Sequence, residues 1–144
     1  MQPNNSLDYP SIRLAIIGAG RWGKLDPPGT VRQVVSRLKA FLGIERLHLA
    51  GDPERSVSAV AVACGSAGKF LENARRAGCD LFITGETDFH TCLEAEATGV
   101  ALLLTGHFAS ERFAVERLAD VLAAEFPHVE VWPSRDERDR LRVV

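Results

Sequence analysis

From residue 58 onward, apolar runs of strand length alternate with helix-length stretches that stop at glycine or proline. Ser58–Ala63, Leu81–Thr84 and Val100–Thr105 read as strands. Helices follow each of them. One is short and ends at Ala77 before Gly78, one spans Asp88–Thr98 before Gly99, and one spans Ser110–Phe126 before Pro127. Strands joined through helices favour parallel pairing with both sheet faces covered, so the pattern predicts an α/β fold. We expect a single domain with a mixed, largely parallel sheet flanked by helices. At 144 residues the chain is long enough for one such core without disulfide or metal staples. The expected limits are a loose polar lead-in over residues 1–10, the domain over 11–133 and a charged, solvated tail over 134–144.

The first third of the chain extends this reading. Ile12–Ile17 reads as a buried strand, followed by a Gly/Pro-rich loop through Gly29. Thr30 suits a helix N-cap, Val31, Val34, Val35, Leu38 and Leu42 form the apolar stripe of that helix, and Gly43 closes it. Arg46–Ala50 reads as a strand, separated from the strand at Ser58 by the turn Gly51-Asp52-Pro53, and Cys64–Gly68 reads as a loop. In the helix over Ser110–Phe126, periodicity turns Val115, Leu118, Leu122 and Phe126 inward and Arg112, Glu116 and Asp120 outward. Val129–Trp132 reads as a last strand.

Residues 18–23, Gly-Ala-Gly-Arg-Trp-Gly, form a G-x-G-x-x-G pattern directly after a strand. In a dinucleotide-binding fold the pyrophosphate rests on a helix that starts at those glycines. Here Pro27 and Pro28 would fall in the second turn of that helix, where each proline costs about 3 kcal/mol. The next helix cannot begin before about Thr30, so the glycines belong to a structural loop.

Charge and cysteine content exclude other classes. Lys+Arg 17 against Asp+Glu 19 gives a net charge of −2, which argues against a general nucleic-acid binder. No apolar run approaches the ~20 residues needed to span a bilayer, and the start lacks a signal-peptide pattern. Cys64, Cys79 and Cys92 have no C-x-x-C spacing and suit a reducing compartment. The expectation is a soluble cytoplasmic protein with neither nucleic-acid nor membrane partners.

Chemistry-bearing residues collect after three predicted strands, at the carboxyl ends where ligands gather in α/β sheets. If those strands are neighbours and parallel, the loops 64–68, 85–90 and 106–111 face one crevice. His107 and Glu111 are four residues apart, so on a helix they share a face and can meet one divalent ion at ~2.0–2.2 Å. A plain His–Glu hydrogen bond at a helix start explains the same spacing. In TGETDFH, residues 84–90, Glu86 and His90 could act as a proton shuttle or support a neighbouring group. Equally, Asp88 could be the N-cap of the next helix and His90 an exposed first-turn residue. CGSAG, residues 64–68, could cradle an anion with Lys69 or be a tight turn. His48 and His128 read as structural or exposed, and Trp22 and Trp132 as packing or interface residues.

Four segments in order, GAGRWGKL (18–25), VAVACGSAG (60–68), CDLFITGETDFH (79–90) and ALLLTGHFASER (101–112), resemble the Nif-three-like dinuclear metal-centre family, whose members are often described as GTP cyclohydrolase I type 2 homologues. The resemblance covers the C-terminal half of that family. It implies a metal-dependent hydrolase acting on a nucleotide-like substrate, with His107 and Glu111 as metal ligands and His90 and Glu86 moving protons. The implied cofactor is a pair of divalent ions, zinc, iron or manganese, which activate a water. The family's other ligands, a His-His pair and an Asp, come from an N-terminal half with no counterpart here, and no adjacent His-His pair occurs in these 144 residues. The resemblance therefore implies a homo-oligomer, a partner chain or a longer native chain that supplies that half. The alternative is a non-catalytic oligomerisation or binding module that keeps the fold with an incomplete site.

Overall fold

The computed structural model describes residues 13–17 and 20–141. The expected lead-in over residues 1–10, Gly18 and Ala19 of the glycine motif, and residues 142–144 of the tail lie outside the described residues. In chain order the elements are β1 (Arg13–Ile17), β2 (Gly20–Thr30), α1 (Val31–Leu42), β3 (His48–Ala50) and β4 (Ser56–Ser66). A single 3-10 turn (Gly68–Phe70) then leads into α2 (Leu71–Arg76), followed by β5 (Leu81–Glu86), α3 (Phe89–Thr98), β6 (Ala101–Leu104) and α4 (His107–Glu125).

One six-stranded mixed sheet runs in the order β1-β2-β4-β5-β6-β3. The central strands β4, β5 and β6 are parallel neighbours, while β1, β2 and β3 add antiparallel pairs at the two sides. β5 lies in the middle and has both faces covered, which is why its sequence Leu-Phe-Ile-Thr is apolar without alternation. Phe82 packs on one side with Leu102, Leu71, Ala74 and Ala95, beneath α2 and α3. Leu81, Ile83 and Leu103 face the other side with Val31, Val34, Val35 and Leu38 of α1. Fully burying side chains of this size contributes roughly 1.5–3 kcal/mol each.

Local signals fix the helix starts. Thr30 and Gln33 form a reciprocal capping box: Gln33 N donates to Thr30 Oγ1 at 3.3 Å and Thr30 N to Gln33 Oε1 at 3.0 Å. Gly43 and Gly99 close α1 and α3. Asp80 stitches the parallel strands at their starting ends. Its Oδ2 accepts from Ser58 N at 2.8 Å, Ser58 Oγ at 2.8 Å and Ala59 N at 2.9 Å.

The structure corrects three expectations. Residues 20–30 are not a loop: they form β2, in which Gly20 and Gly23 pair with β1, and no helix starts at either glycine. Pro27 and Pro28 are tolerated because pairing of β2 with β4 is interrupted between Lys24 and Gly29. Val129–Trp132 runs as irregular chain instead of a strand. In α4 the expected inner face is exposed, with Val115 at 46% and Leu118 at 56%, whereas the expected outer residue Arg112 has an 18% exposed side chain. The reason is that α4 packs on β4, β5 and α1 with only Ser110 and Ala119 buried. Arg112 turns toward the returning C-terminal segment, donating to Ser134 O at 2.6 Å and pairing with Glu137 at 3.2 Å. Among the described residues no helix is long and apolar enough to cross a membrane.

Candidate metal centre

The parallel order β4-β5-β6 brings the loops at their carboxyl ends to one edge of the sheet, as the spacing of the motifs predicts. The β5–β6 ladder continues past the strands: Thr105 N donates to Thr84 O at 3.0 Å and Gly106 N to Gly85 O at 2.8 Å. These bonds hold the start of α4 beside the end of β5. Thr84, 1% exposed, ties in the third loop by donating to Gly65 O at 3.0 Å while accepting from Ala67 N at 3.3 Å.

Three polar side chains meet there. His107 Nδ1 lies 3.3 Å from Glu111 Oε1, one helical turn along α4, and His107 Nε2 lies 3.1 Å from Glu86 Oε1 at the end of β5. All three are about half exposed, at 45% for His107, 58% for Glu86 and 51% for Glu111. Gly65 forms the wall beside them. It sits at φ 73°, and a Cβ there would come within 3.3 Å of Glu111 Oε1 and 3.7 Å of His107 Cε1. A side chain at that position would crowd the pair as well as strain the backbone. Cys64 lies near the same wall, its thiol contacting Ser110 O at 3.5 Å, and burial together with the charge of Glu111 pushes the thiol pKa up.

His90 is not drawn in. It is exposed in the first turn of α3, and among the described residues no hydrogen bond or ion pair joins it to Glu86, His107 or Glu111. Asp88 is the N-cap of α3, accepting from Thr91 N at 2.9 Å and Thr91 Oγ1 at 3.1 Å, which holds its carboxyl below the usual range. CGSAG is a tight connection: Cys64–Ser66 extend β4, and a Cβ on Gly68 would collide with Thr87 Oγ1 at 1.9 Å. Spacing within single segments did not point to Thr84 and Asp80. The signal available for both was a polar residue inside or at the foot of an otherwise apolar strand.

Imidazole and carboxylate groups suit zinc, iron or manganese as ligands. His107 and Glu111 fit one edge of such a site. Among the described residues no group of three or more His, Cys, Asp and Glu side chains is arranged to hold an ion. His107, Glu111, Val115, Leu118 and Leu122 follow each other at spacings of four, four, three and four, so the polar pair and the uncovered apolar stripe share one face of α4.

A family model described as Duf34/NIF3 (NGG1p interacting factor 3) matches residues 7–140. A GTP cyclohydrolase 1 type 2 homolog of Clostridium perfringens is 35% identical over 94 residues, which cover 65% of this chain and 36% of that protein. NIF3-like protein 1 of Mus musculus is 32% identical over 132 residues, covering 88% of this chain and 34% of that protein. Among solved structures, Staphylococcus aureus protein SA1388 superposes with a TM-score of 0.80 at 24% identity, over 88% of this chain and 42% of that one. A Bacillus cereus protein related to NIF3 does so with a TM-score of 0.75 at 24% identity, over 88% and 36%. These two likenesses establish the fold. The chain spans about a third of the length of the curated relatives it matches.

Proposed function

Because this chain belongs to the Duf34/NIF3 family, we propose that it supplies His107 and Glu111 to a divalent-metal centre of a metal-dependent hydrolase. The observation that carries this reading is the meeting of His107, Glu111 and Glu86 at the ends of parallel strands beside Gly65. Zinc, iron or manganese held there would supply Lewis acidity and water activation. His107 and Glu111 bind the ion. Glu86 touches the imidazole and can hold a proton against it. His90, exposed on α3, exchanges protons with solvent or with a substrate in the crevice. The substrate in this reading is nucleotide-like, in keeping with the GTP cyclohydrolase 1 type 2 homolog name carried by relatives.

Two ligands leave the site incomplete, since zinc takes at least three from protein. The remaining donors come, in this reading, from neighbouring copies in a homo-oligomer, from a partner chain or from a further part of a longer native chain that carries the rest of the family's ligand set. Such a partner would cover Val115, Leu118 and Leu122 as it approaches His107 and Glu111, because those residues share a helix face. The free thiols Cys64, Cys79 and Cys92 fit a reducing, cytoplasmic setting.

The uncovered stripe on α4 also favours a second reading, a non-catalytic oligomerisation or binding module. Turnover of GTP with each added metal, for wild type and His107→Ala, separates the two. Metal-dependent turnover that His107→Ala abolishes supports the hydrolase. A chain that assembles yet stays metal-free and inactive supports the module.

A further inference from the structure

Five residues of α4, Glu111, Val115, Leu118, Leu122 and Glu125, follow each other at spacings of four, three, four and three. That repeat is the narrow seam of a coiled coil, not the broader face a helix turns to a globular core. Among the described residues the seam is open: Val115, Leu118 and Leu122 are 46%, 56% and 37% exposed, and Glu111 and Glu125 are exposed at its ends. The pattern reads almost the same in both directions, acid, three apolar residues, acid, and is centred near Leu118. A two-fold interface needs a surface complementary to itself, which such a pattern supplies. An antiparallel pair about that centre sets Leu118 against Leu118 of a second copy, Val115 against Leu122 and Glu111 against Glu125, each to within one residue. This sense also brings the positive N-terminal end of each helix beside the negative C-terminal end of the other, whereas a parallel pair stacks like ends.

We propose that α4 is the two-fold interface of a homodimer: it packs antiparallel on α4 of a second copy, so that each copy brings Glu125 to His107 and Glu111 of the other. Each end of the seam then gathers one imidazole and two carboxylates, three donors where α4 of one copy supplies two. Glu111 and the facing Glu125 repel each other until a cation lies between them, so pairing and cation binding strengthen one another. Such a dimer gives a geometry to the homo-oligomer of the proposed function. Its ends rest on His107 and Glu111 being ligands, and its apolar seam does not. Three apolar layers are fewer than a standard interface of about 800 Å² per partner provides, so the metal-free dimer is weak and concentration-dependent.

Cross-linking of the whole chain tests the seam without metal. Val115→Cys and Leu122→Cys are oxidised in the presence of a chelator, each alone and as a mixture, with wild type as the control for Cys64, Cys79 and Cys92. The expected result is a disulfide-linked dimer formed several-fold more by the mixture than by either variant alone or by wild type. Val115→Cys that links to itself as well as the mixture does shows a parallel pair and overturns the proposal. A mixture that links no better than wild type overturns it too. Sedimentation equilibrium then reads the ends of the seam. Zinc at about ten times the concentration that half-fills the site should tighten the wild-type dimer about tenfold for each end completed, and leave Glu125→Ala unchanged. An equal response in Glu125→Ala overturns the role of Glu125. Wild type that takes up no zinc removes the metal reading and the role of Glu125 with it, while the cross-link still decides the seam.

Discussion

Replacing Asp80 by asparagine removes a charge that three donors share while keeping the shape of the side chain. Asp80 Oδ2 accepts from Ser58 N, Ser58 Oγ and Ala59 N at 2.8, 2.8 and 2.9 Å, which ties the start of β5 to β4. Hydrogen bonds to a charged group contribute about 1.5–3 kcal/mol each where buried. Ser58 is exposed, so water replaces part of the loss, and asparagine keeps one acceptor oxygen. The expected destabilisation is therefore about 2 kcal/mol in total, or roughly 6 °C in Tm for a chain of this size. Burial pushes the Asp80 carboxyl up, but the three hydrogen bonds and the nearby Arg55 charge outweigh it and hold the carboxyl below its usual range. A depressed folded-state pKa gives stability that is present above the unfolded value near 3.9 and lost as pH falls through the folded value. Thermal and urea unfolding of wild type and Asp80→Asn from neutral to acid pH should show a gap that is full at pH 7 and shrinks below about pH 4. Equal stability at pH 7, or a gap that does not change with pH, would refute this reasoning.

Other substitutions probe the site and its surroundings. Gly65→Ala places a methyl against Glu111 Oε1 at a left-handed backbone position, so zinc affinity by chelator competition should fall while Tm drops by only a few degrees. Thr84→Val leaves Gly65 O and Ala67 N without their partner and should cost about 1–3 kcal/mol by urea unfolding. Leu118→Glu, on the 56% exposed stripe, should change the stability of the isolated chain by less than about 0.5 kcal/mol, yet lower its assembly state by light scattering.

Sequence legibility followed how local each feature is. The Thr30 cap, the Asp88 cap and the apolar run of β5 are short-range signals, and each stood where residue type and spacing placed it. The His107–Glu111 pair was legible for the same reason, being one helical turn. That Glu86 meets them depended on β5 and β6 being parallel neighbours, which alternation suggested and the ladder supplied. Two features were hidden because their cause is tertiary. Glycines and prolines in residues 20–30 read as breakers, yet they form a strand whose proline stretch sits where the ladder is interrupted. Periodicity in α4 revealed an apolar face but carried no information on what covers it, and among the described residues that face stays exposed. Arg112 was read as solvent-facing because Ser134 and Glu137, toward which it turns, lie more than twenty residues downstream.

Metal content per chain tests the central claim most directly, measured by elemental analysis of the purified wild type and of His107→Ala combined with Glu111→Ala. The account predicts near-stoichiometric zinc, iron or manganese in wild type and a loss to background in the double variant. A double variant that keeps the metal would contradict the assignment of His107 and Glu111 as ligands, and a wild type without metal above background would contradict a centre completed by copies of this chain alone.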